Sequence, residues 1–362
     1  MKTGARLICG KWLAGAVGLS LSGALLAGGL GAEAIVNAEF ISEMPGVPSV
    51  HASTITESTN GLVAAWFGGT EEGALDVSIW MTRQEGGAWL PPFEVANGRD
   101  LKKHRRYPCW NPVLFTRRNG EMLLFYHVGP NPRSWWCLLK RSLDGGVTWS
   151  KARRLPRGYL GPIKNPPIEL ANGTLLCGSS TEDAGWRVHL EWATDPFGNW
   201  FKSKPLNRSF AMPAIQPTLI PYGEQRIQLL CRTKVGCIAE SWSADGGVTW
   251  SRLKRTILPN PNSGIDAVRL FDGRALLAYN HTPRGRGMLN LATSPDGETW
   301  EAAAVLENEP GAEFSYPTII QTSDGLVHLT YTWKREKIKH VVINPARLRG
   351  GIVLKRGPWP AP

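Results

Sequence analysis

A turn-forming segment ending in tryptophan returns about every 50 residues along this chain. It reads Ser142-Leu-Asp144-Gly-Gly-Val-Thr-Trp149, Ser243-Ala-Asp245-Gly-Gly-Val-Thr-Trp250 and Ser294-Pro-Asp296-Gly-Glu-Thr-Trp300. Weaker copies occupy Thr82 to Trp89 and Thr194 to Trp200. A fixed period of this length marks a fold assembled from repeated units. Each segment has the chemistry of a hairpin turn: Asp accepts backbone N–H bonds, Gly supplies positive φ, and Trp packs between neighbouring sheets.

A second turn series runs out of phase with the first. Its members are Asn60-Gly61, Asn119-Gly120, Asn172-Gly173, Tyr222-Gly223, Asp272-Gly273 and Asp324-Gly325, each preceding an apolar strand such as Leu62 to Phe67 or Met122 to Tyr126. Two interleaved turn series at one period describe a four-stranded blade. Six such hairpins predict an all-β, six-bladed β-propeller. A β-sandwich has no reason for a 50-residue period, and β-helix coils are much shorter. The 40 glycines and 27 prolines are spread between apolar runs, as turns between many short strands require.

Residues 1–34 read as an export signal. Lys2, Arg6 and Lys11 make a positive start, Trp12 to Leu30 is apolar and small, and Ala32-Glu33-Ala34 offers a cleavage site. A membrane anchor is the alternative, but the run reaches only about 19 residues, near the lower limit for a span. Residues 35–362 are then one domain, exported to the periplasm or beyond, with no stable membrane insertion and a monomer expected. The leader holds Lys2, Arg6, Lys11 and Glu33, so the rest keeps about +9 of the formal +11. Its cations are scattered, apart from the run Lys102 to Arg106. That pattern suits an anionic glycan or a membrane surface better than nucleic acid. Five cysteines remain, with no Cys-x-x-Cys spacing, which argues against a zinc site and a full disulfide framework and leaves room for one bridge. No phosphate loop, Gly-x-Ser-x-Gly elbow or His-Glu-x-x-His motif occurs, and no cofactor or metal is implied.

The Ser-x-Asp-x-Gly-x-Thr-Trp boxes resemble those of the sialidase (neuraminidase) superfamily, over nearly the whole chain after the leader. The boxes themselves are structural, so function rests on the central site. Sialidases of this type hold the substrate carboxylate with three arginines, use an Asp as acid/base, and pair a Tyr nucleophile with a Glu. The resemblance implies that Arg232 and Arg286 are the second and third arginines, Tyr316 the nucleophile and Asp76 the acid/base. Two departures stand out: His51 occupies the place of the first arginine, and Gln216 that of the carboxylate beside the tyrosine. Both weaken the case for strict sialidase activity. The implied enzyme is an exo-glycosidase releasing a terminal acidic sugar. A lyase or another glycosidase acting on uronate polymers, and a non-catalytic glycan-binding propeller, remain alternatives.

Independently of the resemblance, inner strands of a propeller converge on the axis, where ligands bind. Counting back from each hairpin places His51, Trp110-Asn111, Lys164-Asn165, Gln216, Ser263 to Asp266 and Ser315-Tyr316 there. The outgoing strands end near His127, Ser180 to Glu182, Arg232, Asn280-His281 and Trp333 to Arg335. A polar lining of this kind suits sugar recognition. The expected substrate-binding set is Arg232, Arg286, Lys164, Asn165, Asn111, Asp266, His281 and Arg335. Asp76, Tyr316, His51 and Gln216 form the expected catalytic set, with Asp76 held partly protonated by burial. Of the adjacent Glu71 and Glu72, one is a further candidate acid. Glu182, His189, Glu191 and Glu240, on or beside middle strands, read as structural.

Overall fold

A computed structural model of the protein describes Met1, residues 29–100 and residues 104–361. Most of the expected leader falls outside these residues, as do Lys102 and Lys103. Antiparallel sheets form six blades, and the described residues contain no α-helix, only two 3-10 turns. The six expected hairpins all join the inner two strands of a blade. In blade one, for example, Ser49–Ser58 turns at Asn60 into Gly61–Gly69. The Trp-ending turns lie farther out, after the third strand. Asp144 accepts Thr148 N–H at 2.9 Å there, and the Trp149 indole donates to Gly146 C=O at 3.1 Å.

The core is divided rather than single. One hydrophobic cluster fills each blade-to-blade interface, such as Val63, Met81, Leu114 and Leu124 between blades one and two. The ring closes through strand pairing and through an apolar cluster that joins Val50, Ile55 and Trp66 of blade one to Ile338 of blade six. Ile35–Phe40 is the outermost strand of blade six, where it pairs with Lys337–Ile343. The residues just before it are packed too. Ala32–Ala34 forms a 3-10 turn with Ala34 fully buried, and Leu30 C=O accepts Val305 N–H at 3.0 Å.

The inner strands carry the device that shapes the centre. Ladder register slips at the same level in four of them, between His51 and Thr54, opposite Phe125 to His127, between Ile215 and Thr218, and between Ser315 and Thr318. One residue at each slip adopts positive φ: Ala52, Asn111, Gln216 and Tyr316. An extra residue in one strand of a pair is a β-bulge, which bends the strand and re-aims its side chains. All five cysteines of the described residues are buried and free, so no bridge forms among them.

Candidate active site at the propeller mouth

The bulges gather side chains from blades one, four and six at one end of the axis. Tyr316 is half-buried, and its Oη accepts from Arg232 Nη1 at 2.8 Å and from Gln216 Nε2 at 3.3 Å. Arg232 Nη1 also donates to Gln216 Oε1 at 3.0 Å. Gly264 leaves room for the tyrosine ring, since a Cβ there would sit 3.3 Å from it. His51 lies against Tyr316 with ring centroids 4.2 Å apart. Its Nδ1 bonds Thr332 Oγ1 at 2.9 Å, while its buried Nε2 has no partner among the described residues. Burial, followed by the charges of Arg335, Arg286, Arg232 and Lys164, holds His51 well below the usual histidine range, so it is neutral.

Three guanidinium groups line the rim and are linked to one another. Arg232 Nε donates to Asn262 Oδ1 at 3.0 Å, and Arg286 Nη2 to Asn262 C=O at 3.2 Å. Glu313 then bridges two arginines, receiving Arg286 Nη1 on one oxygen at 2.9 Å and Arg335 Nε on the other at 3.1 Å. Arg335 also pairs with Glu72 across the mouth. It sits in a tight hairpin in which Lys334 and Arg335 both have positive φ, 53° and 59°. Non-glycine residues seldom adopt that conformation, and such strain concentrates at functional sites. The hairpin is fastened beside His51, because Val50 N–H donates to Arg335 C=O at 2.9 Å.

Several expected site residues lie elsewhere. Lys164 is buried, and its Nζ donates to Asn165 Oδ1 at 2.8 Å, Ile265 C=O at 3.1 Å and Pro317 C=O. An ammonium has three donors, so none remains for a substrate. Asn165 is buried and turns its Nδ2 to Gln216 C=O at 3.1 Å. Asp266 is also buried, bonded to Thr218 Oγ1 at 2.7 Å and Ile319 N–H at 3.1 Å. These three stitch the inner strands together beneath the mouth as a polar plug. Beyond the plug, at the far end of the same strands, lies a 420 Å³ cavity lined by residues such as Ile55, Leu114, Leu219 and Ile319. Asn111 is buried at its bulge. His281 is held away from the tyrosine cluster, between Tyr279 Oη and Gly357 C=O of the C-terminal segment.

Asp76 does not meet the expectation of a buried, partly protonated acid. Its carboxylate is exposed and accepts from Thr70 N–H at 3.0 Å and Thr70 Oγ1 at 2.6 Å. Those bonds, with the Thr70 hydroxyl foremost, lower its pKa. Glu313, Asn262 and Trp186 were missed in the sequence. Glu313 stands three residues before Tyr316, a spacing that could have pointed to it. Asn262 and Trp186 sit in loops with no repeat signal.

The family described as BNR repeat-like domain matches residues 60–329. No curated protein matches the chain. Among solved structures, the Hadza microbial sialidase Hz136 superposes with a TM-score of 0.73 at 16% identity, over 86% of this chain and 69% of that one. The intramolecular trans-sialidase of Ruminococcus gnavus, in complex with oseltamivir carboxylate, gives 0.70 at 13% identity, over 89% and 100%. The α-L-arabinanase of Penicillium chrysogenum, complexed with arabinobiose, gives 0.65 at 16% identity, over 87% and 99%. Identities this low establish the fold that these enzymes share with the chain.

Proposed function

Since the chain belongs to the BNR repeat-like domain family, we propose that its mouth is the active site of an exported glycoside hydrolase that releases a terminal acidic sugar. The observation that carries this reading is the linked row Arg232, Arg286 and Arg335 beside Tyr316. Guanidinium groups bind carboxylates through paired, charge-assisted hydrogen bonds. Arg335 would take up the charge that a first arginine supplies in sialidases, reaching the mouth from a hairpin of blade six instead of the strand that holds His51. Tyr316 would attack the anomeric carbon. Its half-buried position lets water take the phenol proton as the Oη–C bond forms. A second water would then displace the tyrosine with retention, since a tyrosine nucleophile is a recognised exception among retaining glycosidases. A neutral nucleophile also avoids repulsion from the substrate carboxylate. Relatives of this fold include an arabinanase, so the sugar must be found by assay.

The purified protein should be incubated with sialosides, other glycosides of 3-deoxy-2-ulosonic acids, and uronate polymers. Release of an acidic monosaccharide by wild type, lost in Tyr316→Phe, is the expected result. No product from any substrate, with glycan binding intact, would leave a binding propeller as the better account. One observation favours a second reading. The neutral, unpartnered Nε2 of His51 beside Tyr316 suits proton abstraction from a uronate whose carboxylate the arginines neutralise. A lyase would announce itself by an unsaturated product absorbing in the ultraviolet.

A further inference from the structure

The hydrolase reading needs a group that gives a proton to the leaving oxygen, and the carboxylates of the mouth differ sharply in fitness for it. Asp76 is exposed and fixed by Thr70. Both oxygens of Glu313 are held by arginines, and Glu72 is paired with Arg335. Asp266 is sealed in the plug.

Glu182 is placed differently. It is the first residue beyond Leu175–Thr181, the second strand of blade three. That strand end is tied to the tyrosine cluster, because Gln216 N–H donates to Ser180 Oγ at 3.2 Å. Trp186, four residues on in the same loop, is among the groups that favour the Glu182 carboxylate. Trp186 in turn lies near two cations, with Arg232 Cζ 5.3 Å and Lys234 Nζ 4.2 Å from its ring centroid. Arg232 therefore stands between Tyr316 and the loop that carries Glu182 and Trp186. Glu182 is half-buried and makes no ion pair within 4.0 Å among the described residues. Burial raises its pKa against the opposing pull of Arg232, Trp186, Lys234 and Arg133. Desolvation of this sort keeps a carboxyl protonated closer to neutrality.

Resting on the hydrolase reading, we propose that Glu182 is the general acid and base of this site, standing across Arg232 from Tyr316. The glycosidic C–O bond breaks with its electron pair on the leaving oxygen, which takes the Glu182 proton. The Glu182 carboxylate then accepts a proton from the water that attacks the anomeric carbon and displaces Tyr316. A phenolate leaves and recovers its proton from solvent, so both residues return to their starting state.

Leaving-group dependence tests this. Glu182→Gln should lose about 10²- to 10⁴-fold in kcat/KM on a sugar-linked substrate, the usual range for general acid catalysis. It should lose far less on the nitrophenyl glycoside of the same sugar, whose leaving group departs without a proton. The basic limb of the pH–rate profile should vanish in the variant. Equal losses on both substrates, or the same split in Asp76→Asn with Glu182→Gln unaffected, would overturn the assignment to Glu182 alone. A wild type inactive on both substrates would overturn the hydrolase reading and this assignment with it. A thermal unfolding midpoint unchanged from wild type separates lost chemistry from lost fold.

Discussion

Lys164 and Arg335 were both legible in the sequence as cations at strand ends, and burial divides their roles. Lys164 gives every donor to the protein, while Arg335 keeps part of its guanidinium toward the open mouth. Removing Lys164 strips Ile265 C=O, Pro317 C=O and Asn165 Oδ1 of a donor and leaves buried Asp266 without its nearest compensating charge. Lys164→Met should therefore cost about 3–5 kcal/mol, the scale for breaking a buried charged network, read by denaturant titration. Arg335→Met should barely move that titration. It should raise KM for an acidic substrate by about 10- to 100-fold, equivalent to about one charge-assisted hydrogen bond. Equal effects on stability from both variants would refute the division. The sequence could not make this distinction, because which donors are already spent depends on contacts with blades five and six. The same reason hid Glu313 and Asn262, whose roles exist only where two arginines converge on them.

At the scale of elements, the turns were the legible part and the bulges were not. All six inner hairpins lie where Gly-containing dipeptides put them, since a residue with positive φ advertises itself as Gly or Asn. The bulges hide that requirement in Ala52, Gln216 and Tyr316, and in the last two side-chain function outweighs backbone comfort. A faint trace is the proline that follows Asn111, Gln216 and Tyr316. It removes an N–H that a regular ladder would need. Ala52 has φ of 54° and carries no functional group, so strain there can be measured alone. Ala52→Gly should stabilise by up to about 1 kcal/mol, and Ala52→Val should destabilise by at least as much. Chemical denaturation of the pair checks this. A destabilising glycine would mean that the bulge is held without strain.

The whole molecule carries several histidines buried in neutral form, and this sets its response to acid. His127, His281 and His328 are each pushed from 6.5 down to about 4, chiefly by burial, and burial likewise holds His51 well below 6.5. Between pH 4 and 6.5 the unfolded chain binds protons at these sites and the folded one does not. Stability is therefore fully present above pH 6.5 and falls as pH drops toward 4. His127 alone gives about 3 kcal/mol over that window. Melting curves at pH 7.5, 6 and 5 should show a steadily falling midpoint. A flat profile above pH 5 would mean that the histidines are charged in the folded state. Carboxylates of the outer turns act in a separate and lower window, with Asp144 and Asp245 held at about 2 mainly by Thr148 and Thr249.

The pairing of Ile35–Phe40 with Lys337–Ile343 has a consequence for how the molecule is made. A ring whose sixth blade takes its outermost strand from ahead of blade one cannot be completed from either end. The opening strand must wait with a bare edge while five blades form behind it, and an unpaired edge invites association with other chains. Contacts so distant along the chain are slow to form, because the loop they close must first be brought together. Closure is then a single late event that converts a curved stack of sheets into a rigid ring. The mouth, drawn from blades one, four, five and six, comes into existence only at that moment.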